Sequence, residues 1–323
     1  MKHIYVIGAG SFGTAIANQL AFNTEDSVCL ICRSEDQQQE INDNHTNLRY
    51  FPNKTLHDSL RASASLSKLS DADIVFMALP TAALKEHIKD LKIAIPTEAL
   101  VVNLSKGLFK NGRNLVDYLK DKLNSPNVVT MKGPTFAVEL MNNEHSLFTL
   151  GHDTETQYHT IKELVRKTNI HIDHTTDIAG VELLSALKNV YAIIMGIVDA
   201  QYNAINTRHM ILTKAFSEIR VLLEALGGKE DTLFLACGYG DFGLTALNDL
   251  SRNRTLGLLI GKGFYNSDVN QSSVVLEGLR TIELISKATD DSIQKQLPLF
   301  NRLESFFRDK ESKFKIRFNS LVD

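Results

Sequence analysis

The sequence predicts an α/β domain built on a mostly parallel sheet, followed by an all-α domain. Three observations predict it. Short apolar runs alternate with helical patterns through the first half of the chain. A glycine-rich G-x-G-x-x-G stretch joins the first of those runs to the first helical pattern. After about residue 175 the texture changes, and long helical patterns dominate. Strand–helix alternation places crossover helices on both faces of a parallel sheet. The 323 residues suit two domains of roughly 100–200 residues each, divided as 1–177 and 178–323.

The elements follow in order. Ile4-Tyr5-Val6-Ile7 reads as a strand and Ser11 to Phe22 as a helix. Between them, Gly8-Ala9-Gly10-Ser11-Phe12-Gly13 has the dinucleotide-binding spacing: Gly8 makes the tight turn, Gly10 admits a pyrophosphate and Gly13 lets the helix approach the sheet. The helix N-terminus then offers free N–H groups and a positive dipole end to phosphate. This context makes the first domain Rossmann-type. Val28 to Ile31 is a second strand and Glu35 to Asn44 a polar helix. At the end of that strand an acidic residue would hold the ribose hydroxyls and favour NAD. The chain has Arg33-Ser34 there, which suits a 2′-phosphate and favours NADP(H). Arg33 could equally be a surface arginine, and Glu35 and Asp36 could still hold a ribose, so NAD(H) stays open. Ile74 to Leu79, Leu100 to Leu104 and Val128 to Met131 read as strands, with a helix over Thr81 to Leu91. The second half carries helices over Ile178 to Asp199, Arg208 to Leu226, Ser273 to Thr289 and Gln296 to Phe307, and a charged tail, Asp309 to Asp323, expected to fray.

Composition narrows the function classes. The chain is 43% hydrophobic and 23% charged, with a formal net charge of −3. Without a Lys/Arg run or basic stripe it is no candidate for nucleic acid, and an anionic substrate needs a local cluster of donors. Three cysteines, Cys29, Cys32 and Cys237, fit a reducing, cytoplasmic setting. Cys29 and Cys32 form a C-x-x-C inside a strand, where residues three apart face opposite sides roughly 10 Å apart, too far for a disulfide. The glycines break the apolar stretch after Lys2, against a secretion signal. The longest apolar run, Val190 to Val198, falls short of the roughly 18 residues of a membrane span. No histidine spacing resembles H-E-x-x-H, so no metal site is expected, and His171 and His174 read as surface or strand residues.

Four places can carry chemistry. Leu183 to Val198 is almost wholly apolar with one charge, Lys188. A lysine there snorkels, finds a partner or loses its proton, and the last two are how a general acid–base lysine is made. Asn189 beside it could orient it. In Gly238-Tyr239-Gly240-Asp241-Phe242-Gly243, Asp241 could hold Lys188, or simply form an Asp turn. Ser251-Arg252-Asn253-Arg254 could cradle a phosphate or begin a helix with Ser251 as its cap. Lys106-Gly107 and Gly133-Pro134-Thr135-Phe136-Ala137 follow strands, on the sheet edge where ligands collect.

Together these pieces resemble the bacterial NAD(P)-dependent glycerol-3-phosphate dehydrogenase family. The landmarks are Gly8 to Gly13, Asn47-Leu48-Arg49-Tyr50-Phe51-Pro52, Lys106-Gly107-Leu108, Gly133 to Glu139, Gly180-Val181-Glu182, Leu187-Lys188-Asn189-Val190, Gly240-Asp241, Ser251-Arg252-Asn253 and Glu277-Gly278. The resemblance implies reversible reduction of dihydroxyacetone phosphate to sn-glycerol 3-phosphate, feeding glycerophospholipid synthesis. It implies Lys188 as proton donor and acceptor with Asp241 as its catalytic partner. Lys106, Gly133, Thr135, Lys188, Asp241, Ser251, Arg252 and Asn253 would contact the polyol phosphate. Gly8, Gly10, Ser11, Phe12, Gly13, Arg33, Lys106, Ala137, Arg252 and Glu277 would contact the cofactor, and a homodimer is compatible with the family. The chain departs from the pattern at Phe12, where the family commonly has Trp, in the glycine-free stretch Asp199 to Asn206, and at Gly243 to Ala246. A hydroxy-acid dehydrogenase of the same superfamily and a non-catalytic NADP(H)-binding regulator are the alternative classes. The first would want a carboxylate site in place of Ser251-Arg252-Asn253; the second would need no lysine in an apolar helix.

Overall fold

The computed structural model describes residues 1–23, 25–107, 114–265, 273–311, 313–316 and 318–321, with the side chains of 273–277 and of residue 320 left out. The chain divides into two compact units: Met1–Lys106 with Leu115–Ile178, and Gly107–Asn114 with Ala179–Asp323.

The first unit is an eight-stranded sheet. Its strands are β1 (His3–Ile7), β2 (Ser27–Ile31), β3 (Arg61–Ser63), β4 (Ile74–Met77), β5 (Leu100–Asn103), β6 (Val128–Lys132), β7 (Ser146–Gly151) and β8 (Ile170–Thr175), in the spatial order β3-β2-β1-β4-β5-β6-β7-β8. The pairings from β3 to β6 are parallel, with Ile4 opposite both Val28 and Ile74. Every residue of β4, β5 and β6 is buried, as expected where helices cover both faces of a parallel sheet. The order reverses between β1 and β4, and the carboxyl ends at such a switch point form a ligand crevice. The intervening helices are α1 (Ser11–Leu20), α2 (Glu35–Asn44), α3 (Thr81–Ala94), α4 (Leu115–Leu123), α5 (Ala137–Met141) and α6 (Glu155–Val165).

Beyond β6 the sheet changes direction. β7 pairs antiparallel with β6, Lys132 lying opposite Thr149, and β8 then pairs parallel with β7. The carboxyl ends of β7 and β8 therefore lie on the edge opposite those of β1, β4, β5 and β6. Sequence reading finds five strands and misses β3, β7 and β8. β3 has only three residues, too few for a period. β8, Ile-His-Ile-Asp-His-Thr, is mostly polar and half-exposed, so it lacks the apolar run of a buried strand.

The second unit is helical: α7 (Ile178–Tyr202), α8 (Ile205–Ala225), α9 (Asp241–Leu247), α10 (Arg252–Gly261), α11 (Ser273–Ala288), α12 (Asp291–Gln294) and α13 (Pro298–Arg308). Its core runs from Val181 through Tyr191, Ile211, Phe242 and Phe300 to Leu321. α7 has 25 residues and an 18-residue window with a mean hydropathy of 1.6, enough by length and composition to cross a bilayer, yet 94% of that window is buried in the protein. Its apolar character is that of a core helix. The tail corrects an expectation: Phe314, Ile316 and Leu321 are buried in the core. Arg302 ties Glu311 and the Lys315 carbonyl to α13, and the Gln201 side chain donates to the Phe314 carbonyl at 2.7 Å. Charge on the surrounding residues disguised those apolar anchors.

Candidate active site

In the first unit the glycine loop follows β1 directly. Gly8 has φ +111°, and a Cβ there would come within 2.7 Å of the Ala78 carbonyl oxygen. A Cβ on Gly13 would overlap the Gly8 carbonyl, so only glycine lets α1 start this close to the strand. A Cβ on Gly10 would meet nothing within 4 Å. Gly10 is the N-cap of α1, and no side chain caps that helix. By contrast α2, α6, α10 and α12 carry side-chain caps from Ser34, Thr154, Ser251 and Asp290. The first-turn amides of α1 thus have no side-chain cap at the positive end of a helix dipole, the arrangement that binds a phosphate. Ser11 is exposed and opens α1, where the sequence pattern starts the helix. The Phe12 ring lies 6.4 Å from that of Phe148, so an aromatic still packs where the family commonly has Trp.

Other first-unit candidates share that edge. Arg33 is exposed after β2. Ser34 accepts from the Gln37 amide at 3.3 Å, which leaves its hydroxyl proton available. Lys106 is exposed, its carbonyl accepting from Thr81 Oγ1 at 2.8 Å; Leu108 of the same motif lies outside the described residues. Gly133 has a packing reason of its own, since a Cβ would overlap the Leu147 carbonyl of β7. Thr135 Oγ1 is buried with no partner among the described residues, an unmet demand that a ligand hydroxyl can satisfy. Ala137 opens α5.

In the second unit Lys188 and Asp241 pair directly, and both side chains are about 3% exposed. α7 supplies the lysine. A wide π-type turn, Ala236–Gly240, delivers Asp241 as the first residue of α9. A buried pair of this kind is costly to desolvate and leaves an uncompensated charge if one partner is removed. It therefore holds the ammonium in one orientation. Asn189, the next residue on α7, turns to α10: its Oδ1 accepts from Asn253 Nδ2 at 2.9 Å, while its own Nδ2 donates to the Ser185 carbonyl at 3.3 Å. Ser251 is buried and caps α10, accepting from the Arg254 amide at 3.3 Å. The capping and cradle readings of Ser251 are compatible, because a capping oxygen keeps its proton to donate. Arg252 is exposed. The structure thus gathers Lys188, Asn189, Asp241, Ser251 and Asn253 about one stretch of α7. The Glu277 side chain lies outside the described residues.

Two features escaped sequence reading. Arg254 is buried and pairs with Asp199 at 2.8 Å and with Asp249. Asp199 also holds Arg208 at 2.5 Å, so the glycine-free stretch after Asp199 is anchored by ion pairs. Lys132 on β6 is buried, donating to the Asn103 carbonyl and to Thr130 Oγ1, each at 2.8 Å. Asn103 in turn accepts from the Ser105 amide at 3.0 Å, which braces the turn that carries Lys106. Cys29 lies on β2 and Cys32 just beyond its end; both thiols are free, and burial raises the pKa of each, that of Cys29 to about 11.

Comparison with known proteins matches the N-terminal domain of NAD-dependent glycerol-3-phosphate dehydrogenase at residues 3–158 and its C-terminal domain at residues 177–315. The chain is 35% identical over 313 residues to glycerol-3-phosphate dehydrogenase (NAD(P)+) of Methanothermobacter thermautotrophicus, covering 96% of this chain and 94% of that protein. It is 33% identical over 322 residues to the Leptospira biflexa protein of the same name, covering 97% and 96%. The crystal structure of glycerol-3-phosphate dehydrogenase from Coxiella burnetii superposes with a TM-score of 0.84 at 27% identity, covering 99% of this chain and 97% of that one.

Proposed function

Because this chain belongs to the NAD-dependent glycerol-3-phosphate dehydrogenase family, we propose that it catalyses the reversible reduction of dihydroxyacetone phosphate to sn-glycerol 3-phosphate, with NADPH favoured over NADH. The observation that carries the mechanism is the buried Lys188–Asp241 pair. The nicotinamide, when bound, supplies the hydride to C2 of the substrate and accepts it in the reverse direction. Lys188 donates a proton from Nζ to the oxygen that becomes the C2 hydroxyl and takes it back in reverse. Asp241 keeps that Nζ aimed and compensates its charge.

The phosphate of the substrate needs several donors. Ser251, Arg252 and Asn253 stand at the N-terminus of α10, where side chains, amides and helix dipole add. Thr135 Oγ1, Lys106 and the Gly133 backbone complete the polyol-phosphate contacts. Gly8, Gly10, Ser11, Phe12 and Gly13 at the uncapped start of α1 would hold the cofactor pyrophosphate, with Ala137, Lys106, Arg252 and Glu277 as further candidate contacts. Arg33 would pair with the 2′-phosphate. No carboxylate stands at the end of β2 itself, which is the basis for the NADPH preference. The enzyme acts as a cytoplasmic homodimer that supplies the backbone of glycerophospholipids.

One assay tests the reading. Purified protein should oxidise NADPH with dihydroxyacetone phosphate, faster than NADH at equal concentration, and leave pyruvate-type acids unreduced. Lys188→Ala should lower kcat by at least ~10²-fold, the scale of lost general acid–base catalysis, while NADPH still quenches or shifts its fluorescence on binding. Near wild-type turnover by the folded variant would remove Lys188 from the chemistry. Reduction of hydroxy-acid precursors in preference to the phosphate would move the chain to another substrate class.

A further inference from the structure

The edge of the sheet away from the glycine loop holds a second group of chemistry-bearing side chains. His152 follows β7, and its amide bonds to the Thr175 carbonyl at the end of β8. His174 stands on β8 opposite Leu150. Glu155 is the first residue of α6, fixed by the Thr154–Gln157 capping box. One ligand atom from each of these three residues lies within 4.8 Å of the others. His152 Nε2 and His174 Nδ1 face each other at 2.9 Å. We propose that His152, Glu155 and His174 bind a divalent transition-metal cation of the zinc class, at a site separate from the cofactor edge.

The donor set is chemically apt. Two imidazoles and a carboxylate suit Zn²⁺, Co²⁺ or Ni²⁺ better than Mg²⁺ or Ca²⁺, which take all-oxygen shells. The His152 ring is fully buried. The His174 ring stacks on that of Tyr158, 3.8 Å away and near parallel. With Zn–N bonds of roughly 2.0–2.1 Å, tetrahedral geometry places two nitrogens about 3.3 Å apart. The pair needs to open by only about 0.4 Å, and His174 is exposed and able to move. Glu155 is exposed as well, and a rotamer change brings its carboxylate in.

The bland reading is a proton shared between two histidines beside a helix-starting glutamate. The two readings separate by experiment. The full-length protein, stripped with chelator, is titrated with Co²⁺ for its visible ligand-field bands and with Zn²⁺ by calorimetry. The expected result is one equivalent bound with Kd near or below ~10 µM and a thermal midpoint raised by about 2–5 °C at hundredfold excess. His174→Ala and Glu155→Gln, both at exposed positions, should each weaken binding at least ~10-fold while leaving NADPH-dependent turnover unchanged. His145, just before β7, and His171 on β8 face each other at 2.9 Å and serve as the control, since His171→Ala should leave binding intact. Binding only above ~100 µM, equal binding by His174→Ala, or its loss in His171→Ala would each overturn the proposal.

Discussion

Arg252 and Glu218 show how differently two charged residues can serve one helical unit. Arg252 is exposed at the N-terminus of α10, so its charge is available to a ligand. Removing one partner of a desolvated charge pair costs roughly 2–5 kcal/mol. Arg252→Ala should therefore depress kcat/KM strongly for dihydroxyacetone phosphate and much less for unphosphorylated dihydroxyacetone, both measured at saturating NADPH. Equal proportional losses would assign Arg252 to the cofactor or the fold. Glu218 is instead buried. It accepts from Tyr191 Oη at 2.9 Å and from the Leu299 and Phe300 amides at 2.7 and 3.0 Å. It caps α13 from a different helix. Burial raises its pKa from 4.5 to about 7, against the opposing effect of those donors. A carboxyl raised on folding contributes stability below its unfolded value and loses that contribution as pH rises through the folded one. Between pH 5 and 8 the unfolding free energy of the wild type should thus fall by roughly 2–3 kcal/mol relative to Glu218→Gln. Denaturant melts of both proteins across that range check it, and parallel pH profiles would show that Glu218 does not titrate there.

At the scale of elements, the α7–α10 crossing sets the geometry of the proposed substrate site. A Cβ on Gly196 would overlap the Arg254 carbonyl, and one on Gly257 would overlap the Ile193 carbonyl. The two helices meet backbone to backbone, and only that approach brings Asn253 to Asn189. Forcing an extra methyl into such a contact costs roughly 1–3 kcal/mol. Gly257→Ala should lower the thermal midpoint by several degrees, at about 2–4 °C per kcal/mol. It should also lower kcat/KM for dihydroxyacetone phosphate more than affinity for NADPH. An unchanged midpoint and unchanged kinetics would mean that the crossing tolerates the methyl group. The same reasoning explains why α10 looked ambiguous in the sequence: Ser251 signals a cap, but nothing local says that the helix must cross α7 at a glycine.

Among the described residues, two hydrophobic cores share no residue, one from Ile4 to Ile170 and one from Val181 to Leu321. Two-core chains commonly depart from two-state unfolding, and a ligand stabilises what it binds. At a hundredfold excess over Kd, NADPH contributes ~2.7 kcal/mol, which should fall on the unit that carries the glycine loop. Hydrogen exchange with and without NADPH should show β1, β4 and β5 protected by up to ~10²-fold and the core helices α8 and α13 unchanged. Equal gains in both sets would show that the two cores open together. Net charge belongs to this scale too: at −3 the chain has no overall field to draw in an anionic substrate, so recognition falls to local donors.

By itself the sequence determined what repeats locally. The strand–turn–helix of the glycine loop, the buried parallel strands and the long apolar helix carrying a single lysine all follow from periodicity and from the backbone limits of glycine. So did the candidates Lys188 and Asp241, because a charge in an apolar stripe demands a partner. Only the tertiary structure decided which partner was taken. Asp241 lies on another helix, and its pairing with Lys188 depends on a π-type turn that no spacing rule announces. The same holds for Glu218 as a remote cap, for Arg254 between Asp199 and Asp249, and for the meeting of His152 with His174. Each joins residues distant along the chain through contacts that cost no local pattern to make. β7 reversing its direction beside β6 is the sharpest case. Strand character is a property of a few neighbouring side chains, but strand direction is set by the loops and the sheet edge that the strand finds, and those exist only once the chain has packed.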